Sequence, residues 1–258
     1  MTTSRNFGAA ASDYAAHRAG FPDSLFDRLA ALGLGVNAEW VADVGAGTGS
    51  LGRGFARRGC RVTAIDPDAR MLEQGRVLNA KAGVVIDDQV GAAEALPFDD
   101  NALDIVAAGQ CWHWFDPTAA AREFARVTRP GGRALIAHFD WLPLPGNVVE
   151  ATEDLIVVHN PAWRMGGGNG IHVESLPFLT AAGFGPFELF AYDLDVPYTP
   201  EAWRGRIRAS AGVGASLAAE AVRDFDAALG RVLAERFPGA MLAIPHRVSA
   251  LVGLRRRG

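Results

Sequence analysis

Between residues 40 and 139, short apolar runs alternate with helix-patterned stretches, and that alternation predicts an α/β protein built on a doubly wound parallel sheet. Two further observations agree. A glycine-rich turn closes the first apolar run, and a lone acid closes the second, which is where open parallel sheets take their ligands.

The elements follow in order. Residues 7–34 read as a helical lead-in, with Pro22 and Asp23 marking a break and a fresh helix start. Runs rich in Val, Ile and Ala at Trp40–Val44, Arg61–Ile65, Val84–Val90, Leu103–Ala107 and Arg133–Phe139 suit buried parallel strands, because both faces of such a strand lie against helices. Between them, Ser50–Arg58, Asp68–Asn79 and Pro117–Val127 carry apolar residues at three- and four-residue spacing and read as helices. The stretch Trp141–Ile171, with two prolines near its start and a glycine run at Gly166–Gly168, reads as an irregular insertion or lid. A helix over Glu174–Ala182, a strand over Phe187–Val196, helices over Pro200–Ala211 and Leu217–Phe237 and a strand over Met241–Leu254 complete a seven-stranded sheet.

Composition narrows the function. The 258 residues are 49% hydrophobic, enough for one sizeable core, and the whole chain reads as a single domain. That domain divides into a helical cap (1–37), a ligand-binding core (38–140), a lid (141–172) and a C-terminal part with helical elaboration (173–258). A net charge of -4 supplies no positive field for a phosphate backbone, so no nucleic-acid partner is expected. Two cysteines cannot form a disulfide framework, and no apolar leader or membrane-length run is evident, so a cytoplasmic protein with no membrane partner is expected. The six histidines show no ligand spacing, so no metal is expected either.

The sharpest feature is Asp43-Val44-Gly45-Ala46-Gly47-Thr48-Gly49, which ends a strand and opens a helix. Glycines there let the backbone turn tightly and approach a ligand, while the helix start offers unpaired N–H groups. About twenty residues on, Ile65-Asp66-Pro67 places a carboxylate where it can accept both hydroxyls of a ribose. Gly47, Gly49 and Gly52 also fit the G-x-G-x-x-G spacing of NAD(P)-binding oxidoreductases. Counted from the strand end at Gly45, however, the third position is Ser50, and Asp43 would repel a pyrophosphate. A cationic ligand suits Asp43 better.

These residues resemble motif I of class I S-adenosylmethionine (SAM)-dependent methyltransferases, and Ala64-Ile65-Asp66-Pro67 through Met71-Leu72 resembles their second motif. Ala93-Glu94-Ala95-Leu96-Pro97-Phe98 is similar to the adenine-side loop, Leu103-Asp104-Ile105-Val106 to the fourth strand, and Arg129-Pro130-Gly131-Gly132-Arg133 to the turn into the fifth. The resemblance covers about residues 38 to 140. It implies a Rossmann-like, mostly parallel sheet with an antiparallel last strand, an N-terminal helical cap and an inserted lid, and it implies SAM as cofactor. Gly45, Ala46 and Gly47 would line its amino-acid and ribose part, with Asp43 on the cationic side and Asp66 on the ribose. Pro67 or Met71 would pack on adenine, with Ala93 and Glu94 beside it. Where relatives commonly carry Asp before the Ala-Glu pair, this chain has Ala92.

The fourth strand runs into Gly109-Gln110-Cys111-Trp112-His113-Trp114-Phe115-Asp116. An aromatic wall there suits a sulfonium, because ring faces attract cations. The stretch resembles a small-molecule subgroup that includes trans-aconitate methyltransferase. Tyr14-Ala15-Ala16-His17-Arg18 is similar to the subgroup's N-terminal cap, which implies that Tyr14 and Arg18 close over SAM, with Gln110 also on the cofactor. Methyl transfer needs alignment and water exclusion more than it needs a base. For a hydroxyl or nitrogen acceptor, His113 is the first candidate catalytic base, with Asp140 and His172 behind it. Trp112, Trp114, Trp141 and His172 are expected to face a small-molecule acceptor, although Trp112 and Trp114 could equally anchor the core. Asn160-Pro161-Ala162-Trp163 and Cys111 both lack the context of nucleic-acid methyltransferase motifs. A SAM-binding protein without catalysis is the remaining alternative.

Overall fold

The computed structural model describes residues 19–36 and 38–256. The sheet has seven strands: β1 (Trp40–Val44), β2 (Arg61–Asp66), β3 (Asp87–Val90), β4 (Leu103–Gly109), β5 (Thr128–Trp141), β6 (Phe184–Tyr198) and β7 (Leu242–Arg255), in the order β3-β2-β1-β4-β5-β7-β6. It is mostly parallel with one antiparallel strand. The order reverses between β1 and β4, and in open α/β sheets the crevice at that reversal is where ligands sit.

Two compact units emerge. The first holds residues 20–139, 172–192 and 248–256, and the second holds Ala19, 140–171 and 193–247.

In the first unit, α1 (Asp23–Ala31) starts after Pro22 and buries Leu25, Phe26 and Leu29. Helix α2 (Ser50–Arg57) begins at Gly49, which has a φ of 79°, and α3 (Ala69–Lys81) begins at Asp68, whose side chain accepts the Arg70 N–H at 2.9 Å. Helix α4 (Pro117–Val127) has Asp116 as its cap, accepting from the Thr118 and Ala119 N–H groups, and Pro117 at the first helical position where no N–H is missed. The short α5 (Leu176–Ala181) leads into β6. Val44, Ile65, Leu103, Val106, Phe124, Ile136 and Phe184 form one apolar cluster here. Gly54 is where α1 and α2 meet: a Cβ on it would lie 1.8 Å from the Phe26 ring.

In the second unit, α6 (Val148–His159), α7 (Pro200–Arg208) and α8 (Ala219–Arg236) surround a core of Val149, Ile156, Trp203, Ile207, Phe225, Leu229 and Ile244. Helix α6 corrects the expectation of an irregular insertion over Trp141–Ile171. Asn147 caps it by accepting the Glu150 N–H at 2.8 Å, and Glu150 reaches back to the Gly146 N–H at 2.7 Å, an arrangement close to a capping box. The signal was present as Asn followed three residues later by Glu ahead of an apolar run, but neighbouring prolines and glycines masked it.

No helix among the described residues is long and apolar enough to cross a membrane.

Candidate cofactor edge and the residues around it

The carboxyl end of β1 turns through three left-handed glycines, Gly45 (φ 66°), Gly47 (φ 56°) and Gly49 (φ 79°), a conformation that a Cβ makes costly. At Gly45 space forbids a side chain as well, since a Cβ would fall 2.7 Å from Cys111 Sγ. Cys111 is buried and donates its S–H to the Val44 carbonyl at 3.2 Å, so the loop rests on the turn after β4.

Asp66, at the end of β2, holds the loop from the other side. Its Oδ2 accepts the Gly47 N–H at 2.8 Å and its Oδ1 accepts the Asp68 N–H at 2.9 Å. Burial pushes its carboxyl upward, against the two N–H groups that favour the charged form. Each oxygen keeps a lone pair for a further donor such as a ribose hydroxyl.

Asp43 is buried at 1% exposure, and its Oδ2 accepts the Gly52 N–H at 2.8 Å. Gly52 is small for this reason: a Cβ would approach that same oxygen to 3.0 Å. The third glycine of the apparent dinucleotide spacing therefore seats an acid. Burial pushes Asp43 up to about 6, while the Arg53 charge pulls it down. Arg53 itself donates to the Thr48 carbonyl and to Asn79 Oδ1, so it braces the loop from behind. Sequence reading missed Arg53 and Asn79, because no local pattern marks a helix residue whose partners lie on other elements.

The remaining expected cofactor residues divide. Ala46 donates its N–H to the Ile65 carbonyl at 3.0 Å, and Met71 is buried with its methyl close to Gly47. Pro67 is exposed. Ala93 is buried, and Glu94 accepts the Asp116 N–H at 2.8 Å, tying the loop after β3 to the start of α4. Gln110 stands at φ 58°, an uncommon conformation for a residue with a side chain, and its amide donates to the Phe139 carbonyl. Tyr14 and Arg18 lie outside the described residues.

Beyond Gln110, the turn Trp112–Trp114 separates its members. Trp112 is a core side chain, 6% exposed and edge-on to Phe115 and Phe124, which is the anchoring role its sequence also allowed. His113 and Trp114 face outward with ring centres 4.4 Å apart. Phe21 lies over the end of β4, where a Cβ on Gly109 would come to 2.9 Å from its ring; its N–H donates to Ser50 Oγ at 3.0 Å and its ring lies 6.4 Å from Phe139. His172 stacks on His138 with ring centres 3.7 Å apart.

In the second unit, Trp141 donates its indole N–H to Glu153 at 2.7 Å, packs edge-on against Trp203 and lies under the Arg206 guanidinium. Glu153 also accepts the Gly167 N–H at 2.7 Å, so the glycine run hangs from a buried carboxylate. Burial pushes that carboxyl upward.

Residues 42–136 match the family described as "Methyltransferase domain". An uncharacterised methyltransferase of Mycobacterium tuberculosis is 41% identical over 138 residues, which is 52% of this chain and 54% of that protein. A second, from Schizosaccharomyces pombe, is 34% identical over 130 residues, 50% of each chain. The chain thus spans about half the length of the curated relatives it matches. Among solved structures, the YcgJ protein of Bacillus subtilis aligns with a TM-score of 0.58 at 21% identity, covering 92% of this chain and 98% of that one. A phosphoethanolamine N-methyltransferase of Haemonchus contortus, solved with phosphomonomethylethanolamine and S-adenosylhomocysteine, aligns with a TM-score of 0.58 at 17% identity, covering 100% of this chain and 61% of that one. At those identities the likeness is one of fold. Residues 42–136 are thus similar to a methyltransferase domain, and the seven-stranded, Rossmann-like α/β sheet is the fold these solved structures share.

Proposed function

We propose that this protein transfers a methyl group from SAM to a small-molecule acceptor. The observation that carries the reading is the Gly47–Asp66 hydrogen bond, which sets a left-handed glycine loop against a buried acid at the sheet's reversal point. A ribose needs a carboxylate with spare lone pairs beside a close-approaching backbone, and this pair supplies both. Asp43 supports a cationic ligand over a pyrophosphate, since a buried acid beneath the loop favours positive charge above it. The Methyltransferase domain match over residues 42–136 points the same way.

Gly45, Ala46 and Gly47 would follow the methionine and ribose part, and Met71, Pro67, Ala93 and Glu94 the adenine side. SAM arrives activated, so the protein's tasks are to align an acceptor with the methyl group and to keep water out. His113, exposed at the edge after β4, is the base for acceptors that must lose a proton; a carboxylate acceptor needs none. Trp114 would flank the acceptor. Trp141 and His172 remain acceptor-side assignments, and Tyr14 and Arg18 remain cofactor-side ones, on sequence grounds. A small-molecule acceptor follows from the chain's acidic balance and from the subgroup that Gln110 to Phe115 resembles.

Calorimetry with S-adenosylhomocysteine tests the cofactor, and release of S-adenosylhomocysteine from SAM across a panel of carboxylate, hydroxyl and amine acceptors tests the reaction. No heat with the spent cofactor would overturn the reading. Binding without consumption across the panel would favour a SAM-binding protein that does no chemistry.

A further inference from the structure

His138 stands at the carboxyl end of β5. The register pairs Gly109 with Ala137, so His138 is the next residue beyond that pair, beside Gln110, whose N–H donates to the Ala137 carbonyl at 2.9 Å. The His138 side chain is buried at 5% exposure in a largely apolar strand. The ring of His172 lies over it, with centres 3.7 Å apart and planes 17° from parallel, and a ring nitrogen of each lies within 4.8 Å of the other.

His172 carries a second feature. Its Nδ1 faces a Glu174 carboxylate oxygen at 3.8 Å, which points Nε2 to the far side of the ring. At 3.8 Å this is an ion-pair distance and not a hydrogen bond, so Glu174 has to close on Nδ1 to act as the carboxylate that orients a metal-ligating imidazole. Stacked rings hold their lone pairs in separate planes, so joint ligation requires one ring to turn. His172, with its side chain 33% exposed, has room to do so.

We propose that His138 and His172 bind a divalent transition-metal ion of the zinc class at the carboxyl end of β5. Neutral imidazoles are the preferred nitrogen ligands of such ions. This deepens the methyl-transfer reading and rests on it in one respect: an ion beside Gln110 would hold an acceptor through an anionic oxygen, favouring acceptors that carry a carboxylate or an ionisable hydroxyl.

The test uses the full chain, stripped with chelator and titrated with zinc by calorimetry and with cobalt(II) by visible absorption, with S-adenosylhomocysteine titrated in parallel. The expected result is saturable uptake of about one ion per chain, with the cobalt spectrum of a nitrogen-ligated site. His172→Ala and His138→Ala should each weaken uptake about 100-fold or more, and Glu174→Gln about 10-fold, the scale of a lost outer-shell partner. His172 is only partly buried, so His172→Ala keeps the test decisive should His138→Ala fail to fold. No saturable uptake by the wild-type chain, or uptake unchanged in His172→Ala, overturns the proposal. Intact binding of S-adenosylhomocysteine alongside absent zinc uptake sinks the ion site alone; zinc uptake without it supports the ion site and sinks the methyl-donor reading.

Discussion

The Gly47 backbone N–H donates to Asp66 Oδ2 at 2.8 Å, so one bond couples the end of β1 to the end of β2 across the place assigned to the cofactor. A ligand that replaces or shares that bond is felt by both strands, and the acid that would hold a ribose also shapes the loop beneath it.

Asp66→Ala should therefore weaken S-adenosylhomocysteine binding about 100-fold or more, on the scale of about 3 kcal/mol for losing charge-assisted hydrogen bonds to hydroxyls and freeing the loop. Calorimetry reads it. Unchanged affinity would sink the ribose assignment.

Gly45 and Gly47 share a left-handed backbone but differ in surroundings, and the two alanine variants should separate strain from collision. Gly47→Ala adds a Cβ 3.4 Å from the flexible end of Met71, so its cost is the backbone term alone, about 1–2 kcal/mol. Gly45→Ala also drives a Cβ to 2.7 Å from Cys111 Sγ and 3.1 Å from the Phe115 ring, adding about 1–3 kcal/mol of overpacking. Urea unfolding checks the order. Equal losses would mean that the turn after β4 yields freely.

Asp43 sets a pH dependence. Its folded-state value of about 6 lies above the ordinary 3.8, so the native state holds the extra proton between those values. Stability from this group accordingly falls as pH rises through that window, by about 3 kcal/mol in all. Asp43→Asn keeps an oxygen for the Gly52 N–H without the buried charge. Its stability relative to wild type should be near parity at pH 4 and highest above pH 6, while its affinity for a cationic cofactor should drop. A gap that does not change with pH would refute the buried-charge account.

Glu153→Ala leaves the Trp141 indole N–H and the Gly167 N–H without their acceptor, at a cost of about 1–3 kcal/mol per buried group left unpaired. Hydrogen exchange at Gly166–Gly168 should accelerate, and proteolytic nicking there should rise. Protection equal to wild type would show that the run is held by something else.

His113→Ala should spare S-adenosylhomocysteine binding and slow turnover about 100-fold or more on an acceptor that must lose a proton, the lower range for a general base. On a carboxylate acceptor it should change little. A loss of cofactor binding equal to the loss of turnover would assign His113 a structural role.

The sequence by itself determined the α/β class, the bounds of β1 and α4, the glycine loop and its acid. These features are local. A buried parallel strand announces itself by an unbroken apolar run, a helix by its period, and a tight turn by glycine, so each can be read within a window of a few residues. Helix α6 was missed because its capping pair sat among glycines and prolines whose local vote was stronger. What only the tertiary structure decided is which side chains share a space: that Trp112 turns inward to Phe124 while His113 turns out, that Arg53 and Asn79 brace the loop, that Gly52 seats Asp43, and that His138 meets His172. Those pairings join residues distant in the chain, where close packing selects the partner and no spacing in the sequence records the choice.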